Sequence, residues 1–443
     1  MQPSNRNSRL PLHGDEDDRL HLSVWFWPAL KGADIADKAV ADGAALGPLH
    51  GVPFSIKDSL DTAGVLTQRG SKLFAGNIPD RDATAVARFK AAGGIPLMKT
   101  NLPEFSFWTE SDNLVTGRTN NPWNLERTPG GSSGGESAAL AAGMSPIGIG
   151  SDVMISLRGP AAFTGIAALK ATHGRVPYTG HYPSILSHWW HVGAMARTIG
   201  DVALGHSILK GPDGIDGYAI HARDAEPDSG RLAGQPIRVG WVSDAAFGPV
   251  DPEITAAVAA AAAQLADLGY EVEEVTLPFV GKAFGALATL VYGEIVPSIK
   301  ALAAGRESEL HAVGAGTIGL ADPSFVDFAA AHAQTETLRS AFSGFFRKYD
   351  VLLTPVNPMT ATPHGAQEVV VNGVTVPWTH VMAATSPFNL AGLPALAVPY
   401  GFSSENLPIG IQLVANWLDE VTIMRVGAML ERRGGLGNRR PLI

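Results

Sequence analysis

Apolar positions recur along the chain in two rhythms, and their alternation predicts α/β layering. From Ala33 to Ala44 the run ADIADKAVADGA suits a short helix, and PLHGVPFSIKD then makes a Pro- and Gly-bounded strand ending at Lys57. Asp82 to Ala92 has helical spacing, GGIPLMKT reads as a short buried strand, and NLPEFSFW follows as a loop or helix start. Residues 112–135 are rich in Asn, Pro and Gly and run into the helical segment GESAALAAGM. PIGIGSDV is a strand closing at Asp152, after which SLRGPAAFTGIAALK mixes loop and helix. A second strand–helix–strand unit begins near Ile237. There IRVGWVSD and YEVEEVTLP flank DPEITAAVAAAAAQLADLG, with Asp251 as N-cap, Pro252 in the first turn and Gly269 as C-cap. VVVNGVTVPW is a hairpin, because Asn372-Gly373 supplies the positive φ angles of a type I′ turn. PALAVPYGF and IGIQLVA add strands, and DEVTIMRVGAMLERR closes the chain as an amphipathic helix.

The βαβ rhythm predicts one large α/β domain over residues 21–443, its central sheet mixed but mostly parallel and covered by helices on both faces. Residues 1–20 are polar and read as a flexible tail, while 279–345 are mostly helical with uneven spacing, as in a lid or insertion. With 45% hydrophobic and 17% charged residues in 443, the chain has the apolar surface for a sizeable core. A formal charge of −9 with no Lys/Arg run argues against a nucleic-acid partner. The absence of cysteine removes disulfides, thiolate metal sites and a cysteine nucleophile together. Near the start there is no apolar signal segment, and no stretch reaches the roughly 20 apolar residues that span a bilayer. The expectation is a cytoplasmic protein, off the membrane, working as a monomer or homodimer.

Two Gly/Ser clusters stand out: TPGGSSGGES at 128–137 and GSDVMISLRGPA at 150–161. Both put serines where the backbone can turn tightly and present N–H groups, as turn chemistry and helix capping also would. The Lys57 strand adds a third block. Together with KTNLPEF, NPWNLERTPGGSSGGESAALAAG, GSDVMISLRGPAAFTGIAALKATHGRVP, GAMARTIGDVAL and NLAGLPALAVPYGF, these blocks resemble the amidase-signature family of serine hydrolases along nearly the whole chain. The resemblance implies Lys57 as base, Ser132 as the cis-serine shuttle and Ser156 as nucleophile, 75 and 24 positions apart in order. It also implies an oxyanion hole from the backbone N–H groups of Val153, Met154, Ile155 and Ser156, and supporting roles for Ser133, Asp152 and Arg158.

The residues fit that chemistry. A serine hydroxyl needs an adjacent base, and lysine serves only when neutral, so its pKa must fall from about 10.4 through burial. VPFSIK offers such a setting. The family usually carries two glycines where this chain has Met154 and Ile155; the expectation is that the loop keeps ordinary φ values and the two side chains reshape the pocket wall. In YTGHYPSILSHWWH (178–191), Tyr178, Trp189 and Trp190 are candidates to line the pocket with them. The thirteen histidines show no metal-ligand spacing, and the mechanism calls for neither metal nor cofactor.

Gly130-Gly131-Ser132-Ser133-Gly134 also matches the G-x-S-x-G elbow of α/β-hydrolases, but that turn needs a strand directly before it and WNLERTP is loop-like. Two further alternatives are the amidase subunit of a tRNA-dependent amidotransferase and a catalytically silent binding protein on the same scaffold. The expected activity is hydrolysis of a C–N bond in a small-molecule amide, with carbamates (urethanes) and esters as further substrates. Within the family the likeness is to members that cleave aryl amides and aryl carbamates.

Overall fold

The computed structural model describes residues 22–24, 26–184, 189–223, 236–242, 245–433 and 439–442. The expected tail at 1–20 lies outside them. Strands β1 (Leu22–Val24), β2 (Pro53–Lys57), β3 (Ile95–Thr100), β4 (Ile147–Asp152), β5 (Ala167–Lys170) and β6 (His191–Ala196) fall in the first half. The second half supplies β7 (Arg238–Trp241), β8 (Glu271–Glu274), β9 (Val351–Pro355), β10 (Glu368–Val371), β11 (Val374–Pro377), β12 (Ala395–Phe402) and β13 (Pro408–Ala415). Eleven of them form one sheet in the order β1-β3-β2-β4-β6-β5-β12-β13-β9-β7-β8, and β10 with β11 makes the separate hairpin. Asn372 and Gly373 take φ of 48° and 76° in its turn, as their types require.

The sheet is mixed as expected, but its parallel character is confined to two wings. β3, β2 and β4 are parallel, and so are β9, β7 and β8. Between the wings every pair from β4 to β9 is antiparallel, and β1 adds an antiparallel edge. Each wing holds a crossover helix, Thr84–Ala91 between β2 and β3 and Pro252–Asp267 between β7 and β8. The weighting toward parallel pairs therefore holds only for the segments whose helical crossovers show in the sequence. β6 has no such unit around it and is antiparallel to both its neighbours, while β9 joins the antiparallel middle to the second parallel wing.

Pro252–Asp267 has the expected start, the Asp251 side chain accepting from the Glu253 N–H, while its C-cap is Leu268, one residue before the expected Gly269, which follows with φ of 86°. The segment 279–345 contains helices Ala283–Ala303, Ala312–Ile318 and Phe325–Phe345. Against the expectation, Ala283–Ala303 has the length and mean hydropathy (1.3) of a bilayer span. Its buried residues, including Ala283, Leu287, Leu290, Val291 and Ile299, recur at helical spacing, and Leu287 joins Leu338 and Phe342 of Phe325–Phe345 in one core cluster. It packs as a core helix of this domain.

Candidate active site

The parallel wing aims its carboxyl ends at one place. Ile56 of β2 is in register with Ile149 of β4, so Lys57 at the end of one strand lies beside Gly150 and Ser151 at the end of the other. In open α/β sheets such carboxyl edges are where ligands bind. The GGSSGG cluster arrives from the far side as the entry to helix Gly134–Ala141, and its Gly131–Ser132 peptide is cis. Gly135 is pressed onto the backbone of Asn101, where an added Cβ would lie 2.5 Å from both the nitrogen and the oxygen. Only glycine permits that approach.

Lys57 is fully buried, with its Nζ 2.7 Å from Ser132 Oγ and 2.9 Å from Ser151 Oγ. The Ser151 carbonyl lies at 3.4 Å. Burial lowers the lysine from 10.5 to about 7, with the negative charges of Asp152 and Glu136 pulling the other way. Burial therefore favours the neutral amine.

Ser156 lies between β4 and helix Arg158–Thr164, 4% exposed. Asp152 and Arg158 brace this loop in full burial: Arg158 Nε donates to Asp152 Oδ2 at 3.0 Å and its Nη2 to Oδ1 at 3.1 Å. The Leu157 N–H donates to the same carboxylate at 3.1 Å, and Asn389 Nδ2 does so at 2.8 Å. Burial alone would raise the Asp152 carboxyl; the Arg158 charge and these hydrogen bonds hold it below its ordinary value. Arg158 also donates to the Met154 carbonyl at 3.2 Å. Among the described residues, none of the N–H groups of Val153, Met154, Ile155 and Ser156 donates a hydrogen bond. Unpaired N–H groups beside a serine are the material of an oxyanion hole.

Neither Met154 nor Ile155 has a positive φ, so the β-branched Ile155 carries no left-handed strain. Both are buried in one apolar cluster with Val153, Phe105, Trp189 and Trp190, which extends to Leu287 and Leu290 of Ala283–Ala303. The aromatic candidates divide. The Trp190 ring lies 4.6 Å from His181, Tyr178 is 5.7 Å from the same imidazole, and Trp189 approaches His332 of Phe325–Phe345 at 6.5 Å. Ser133 contacts no member of the Lys57–Ser132–Ser156 set by hydrogen bond among the described residues: its hydroxyl donates to the Ser151 carbonyl at 3.2 Å and so braces the end of β4.

Two buried groups beside the lysine escaped sequence reasoning. Glu136, in GGES, reads as an ordinary first-turn acid. Its carboxylate accepts from Ser55 and, at 2.7 Å, from Thr100, and burial pushes it from 4.5 up to about 7. His181 Nε2 lies 2.9 Å from Ser151 Oγ, in a stretch whose aromatic residues drew attention as pocket walls. Asn101, Thr128 and Glu104 make scaffold contacts: Asn101 Nδ2 donates to the Gly117 carbonyl, Thr128 Oγ1 accepts from Gly130, and Glu104 accepts from Ser71.

Known proteins align along almost the whole chain. The family profile described as Amidase matches residues 16–424. One of the subunits of the glutamyl-tRNA(Gln) amidotransferase of Synechococcus sp. (strain CC9605) is 37% identical over 436 residues, 91% of this chain and 87% of that protein. A 6-aminohexanoate cyclic dimer hydrolase has the same fold with a TM-score of 0.82 and 29% identity over 95% of this chain and 91% of its own. A chain from a protein complex bearing on the origins of an s-triazine catabolic enzyme superposes with a TM-score of 0.85, is 30% identical, and is matched over 94% of this chain and 91% of its own. These likenesses correct the expected partners. The matching amidotransferase chains are by name subunits of a glutamyl-tRNA(Gln) amidotransferase, so a stand-alone monomer or homodimer restricted to small molecules, with no nucleic acid in its reaction, does not stand. From the shared length, the sheet and the cluster at its carboxyl edge, the chain belongs to the amidase family, whose members carry the amidase signature.

Proposed function

We propose that this chain cleaves the C–N bond of a carboxamide through an acyl-enzyme on Ser156, as the amide-cleaving component of an amidotransferase-type assembly. The observation that carries the chemistry is the buried Lys57 Nζ, with a pKa of about 7, at 2.7 Å from Ser132 Oγ. Neutral Lys57 takes the proton of Ser132 as Ser132 takes that of Ser156, and the Ser156 oxygen attacks the carbonyl carbon. The carbonyl oxygen becomes an oxyanion held by the loop N–H groups of Val153 to Ser156. When the C–N bond breaks, Ser132 returns the proton to the departing nitrogen and is reprotonated by the Lys57 ammonium. Water then repeats the sequence on the ester and releases the acid. Asp152 and Arg158 fix the loop, and Ser133 fixes the end of β4.

The assembly reading is supported by the 37% identity across nine-tenths of the chain to a component of a glutamyl-tRNA(Gln) amidotransferase. An amidotransferase moves an amide nitrogen from donor to acceptor, so its amidase part liberates ammonia. One observation favours a second reading at the same serine: Met154 and Ile155 sit in a cluster with Phe105, Trp189 and Trp190, an apolar setting that suits aryl amides and carbamates. A carbamate offers the same carbonyl, and loss of its amine leaves an alkoxycarbonyl-enzyme that water resolves to alcohol and carbon dioxide. On either reading, helices Ala283–Ala303 and Phe325–Phe345 form the lid over this wall. Product analysis separates the two. Ammonia from primary carboxamides, transferred to charged tRNA when partner subunits are supplied, supports the first. Arylamine or alcohol from anilides and carbamates, with no ammonia from carboxamides, overturns it in favour of the second.

A further inference from the structure

Lys57 can act as base only if its lone pair faces Ser132, and the hydrogen bonds around Nζ decide whether it does. A neutral amine has two N–H donors and one lone pair. Around Nζ stand Ser132 Oγ, Ser151 Oγ and the Ser151 carbonyl at 2.7, 2.9 and 3.4 Å. The carbonyl can only accept, so it takes one N–H. If Ser151 Oγ takes the other, the lone pair is left for the Ser132 proton. If Ser151 instead donates its own hydrogen to Nζ, the lone pair is occupied and Ser132 has no base. The two polarities differ in where the Ser151 hydrogen points.

That hydrogen gains another acceptor in the His181 tautomer that carries its proton on Nδ1. His181 Nε2 lies 2.9 Å from Ser151 Oγ. The imidazole is held there by the backbone: Asp61 N–H donates to the Gly180 carbonyl at 2.9 Å and Tyr182 N–H to the Ser59 carbonyl at 2.8 Å, laying the 180–182 segment along the loop that follows Lys57. Leu60 and His181 form an isolated antiparallel bridge, and the Trp190 ring packs 4.6 Å from the imidazole. The ring is 4% exposed. Burial, then the positive charges of Lys57 and Arg69, hold it well below the ordinary imidazole value, opposed by the Pro183 backbone; the titratable Tyr178 also lies beside it. A neutral ring has one nitrogen free to accept.

We propose that His181 is a positioning residue for the reaction: its Nε2 accepts the Ser151 hydroxyl hydrogen, Ser151 Oγ thereby accepts from Lys57, and the Lys57 lone pair is turned onto Ser132. The inference rests on Lys57 as base. It follows the logic by which a third group orients a catalytic base, with a hydroxyl between the two. The link also favours the ammonium form during turnover, since charged Lys57 donates to all three of its neighbours while Ser151 keeps an acceptor for its own hydrogen.

His181→Phe keeps the ring against Trp190 and removes the acceptor. The Ser151 hydrogen then turns onto the Lys57 lone pair, which stabilises neutral Lys57 and diverts it from Ser132. The expected result is a plateau kcat lower by about 10- to 100-fold, the scale of losses when orienting partners are removed, with KM little changed. The acid limb of the pH profile moves to lower pH by about 0.5 to 1 unit, because the ammonium form has lost support. His181→Gln, whose side-chain oxygen can accept from Ser151, recovers most of the loss. If His181→Phe does not fold, Ser151→Ala reads the same link and must also move the limb to lower pH. An unmoved limb in His181→Phe, or in Ser151→Ala where the Phe variant does not fold, overturns the proposal, as does a Gln variant as impaired as Phe. Lys57→Ala, run alongside, separates the two levels: an active Lys57→Ala enzyme removes the base itself, whereas an inactive one beside an unaffected His181→Phe removes only the role of His181.

Discussion

At the scale of single residues, burial is what suits Lys57 to the proposed role of base, and the same burial couples it to Glu136. The lysine is brought from 10.5 to about 7 and the carboxyl from 4.5 to about 7, and each charge favours the other's ionised form. The expected pH dependence follows. With Lys57 as the proposed base, activity needs its neutral form, so kcat/KM is expected to be low in acid, to rise through an apparent ionisation near 7 and to stay high in mildly alkaline solution. That apparent value belongs to the coupled pair. Lys57→Arg is expected to lose activity by several orders of magnitude, because guanidinium keeps its charge; an Arg variant with a normal rate would contradict the role. Glu136→Gln removes an anion that stabilises the ammonium, so its acid limb is expected at lower pH than the wild type's. A limb displaced to higher pH, read in the same rate profile, would show that Glu136 acts otherwise.

At the scale of elements, the site depends on how a strand, a helix entry and a loop are pinned together. The Asp152–Arg158 pair is fully buried and joins the end of β4 to helix Arg158–Thr164. Removing one member strands the other's charge, so Arg158→Met is expected to destabilise the fold by about 3–5 kcal/mol in chemical denaturation. A change under about 1 kcal/mol would show that the loop is held by its other contacts. Much of this level is legible in the sequence. The βαβ wings, the Asp251 cap, the Asn372-Gly373 turn and Lys57 at a strand end all follow from periodicity and local turn chemistry. The antiparallel middle is not legible, because β6 is uniformly buried and HVGAMA therefore lacks the alternation that marks a half-buried strand. Glu136 and His181 were hidden for a different reason. Their importance arises from a meeting of positions 57, 136, 151 and 181 in space, which no local pattern encodes.

At the scale of the whole molecule, one sheet edge carries the proposed base, relay serine and nucleophile loop, while two helices from the second half share one apolar cluster with Met154 and Ile155. The proposed mechanism draws base, proton relay, nucleophile and oxyanion donors from the protein. Exhaustive chelation is therefore expected to leave the rate unchanged; a loss restored by a divalent ion would contradict that account. The most direct measurement of the central claim is intact-protein and peptide mass spectrometry of enzyme quenched during turnover of a slow amide or treated with a serine-directed covalent probe. The adduct is expected on Ser156, absent from Ser156→Ala and slowed in Lys57→Ala. An adduct on Ser132, or undiminished turnover by Ser156→Ala, would contradict the assignment of Ser156 as nucleophile.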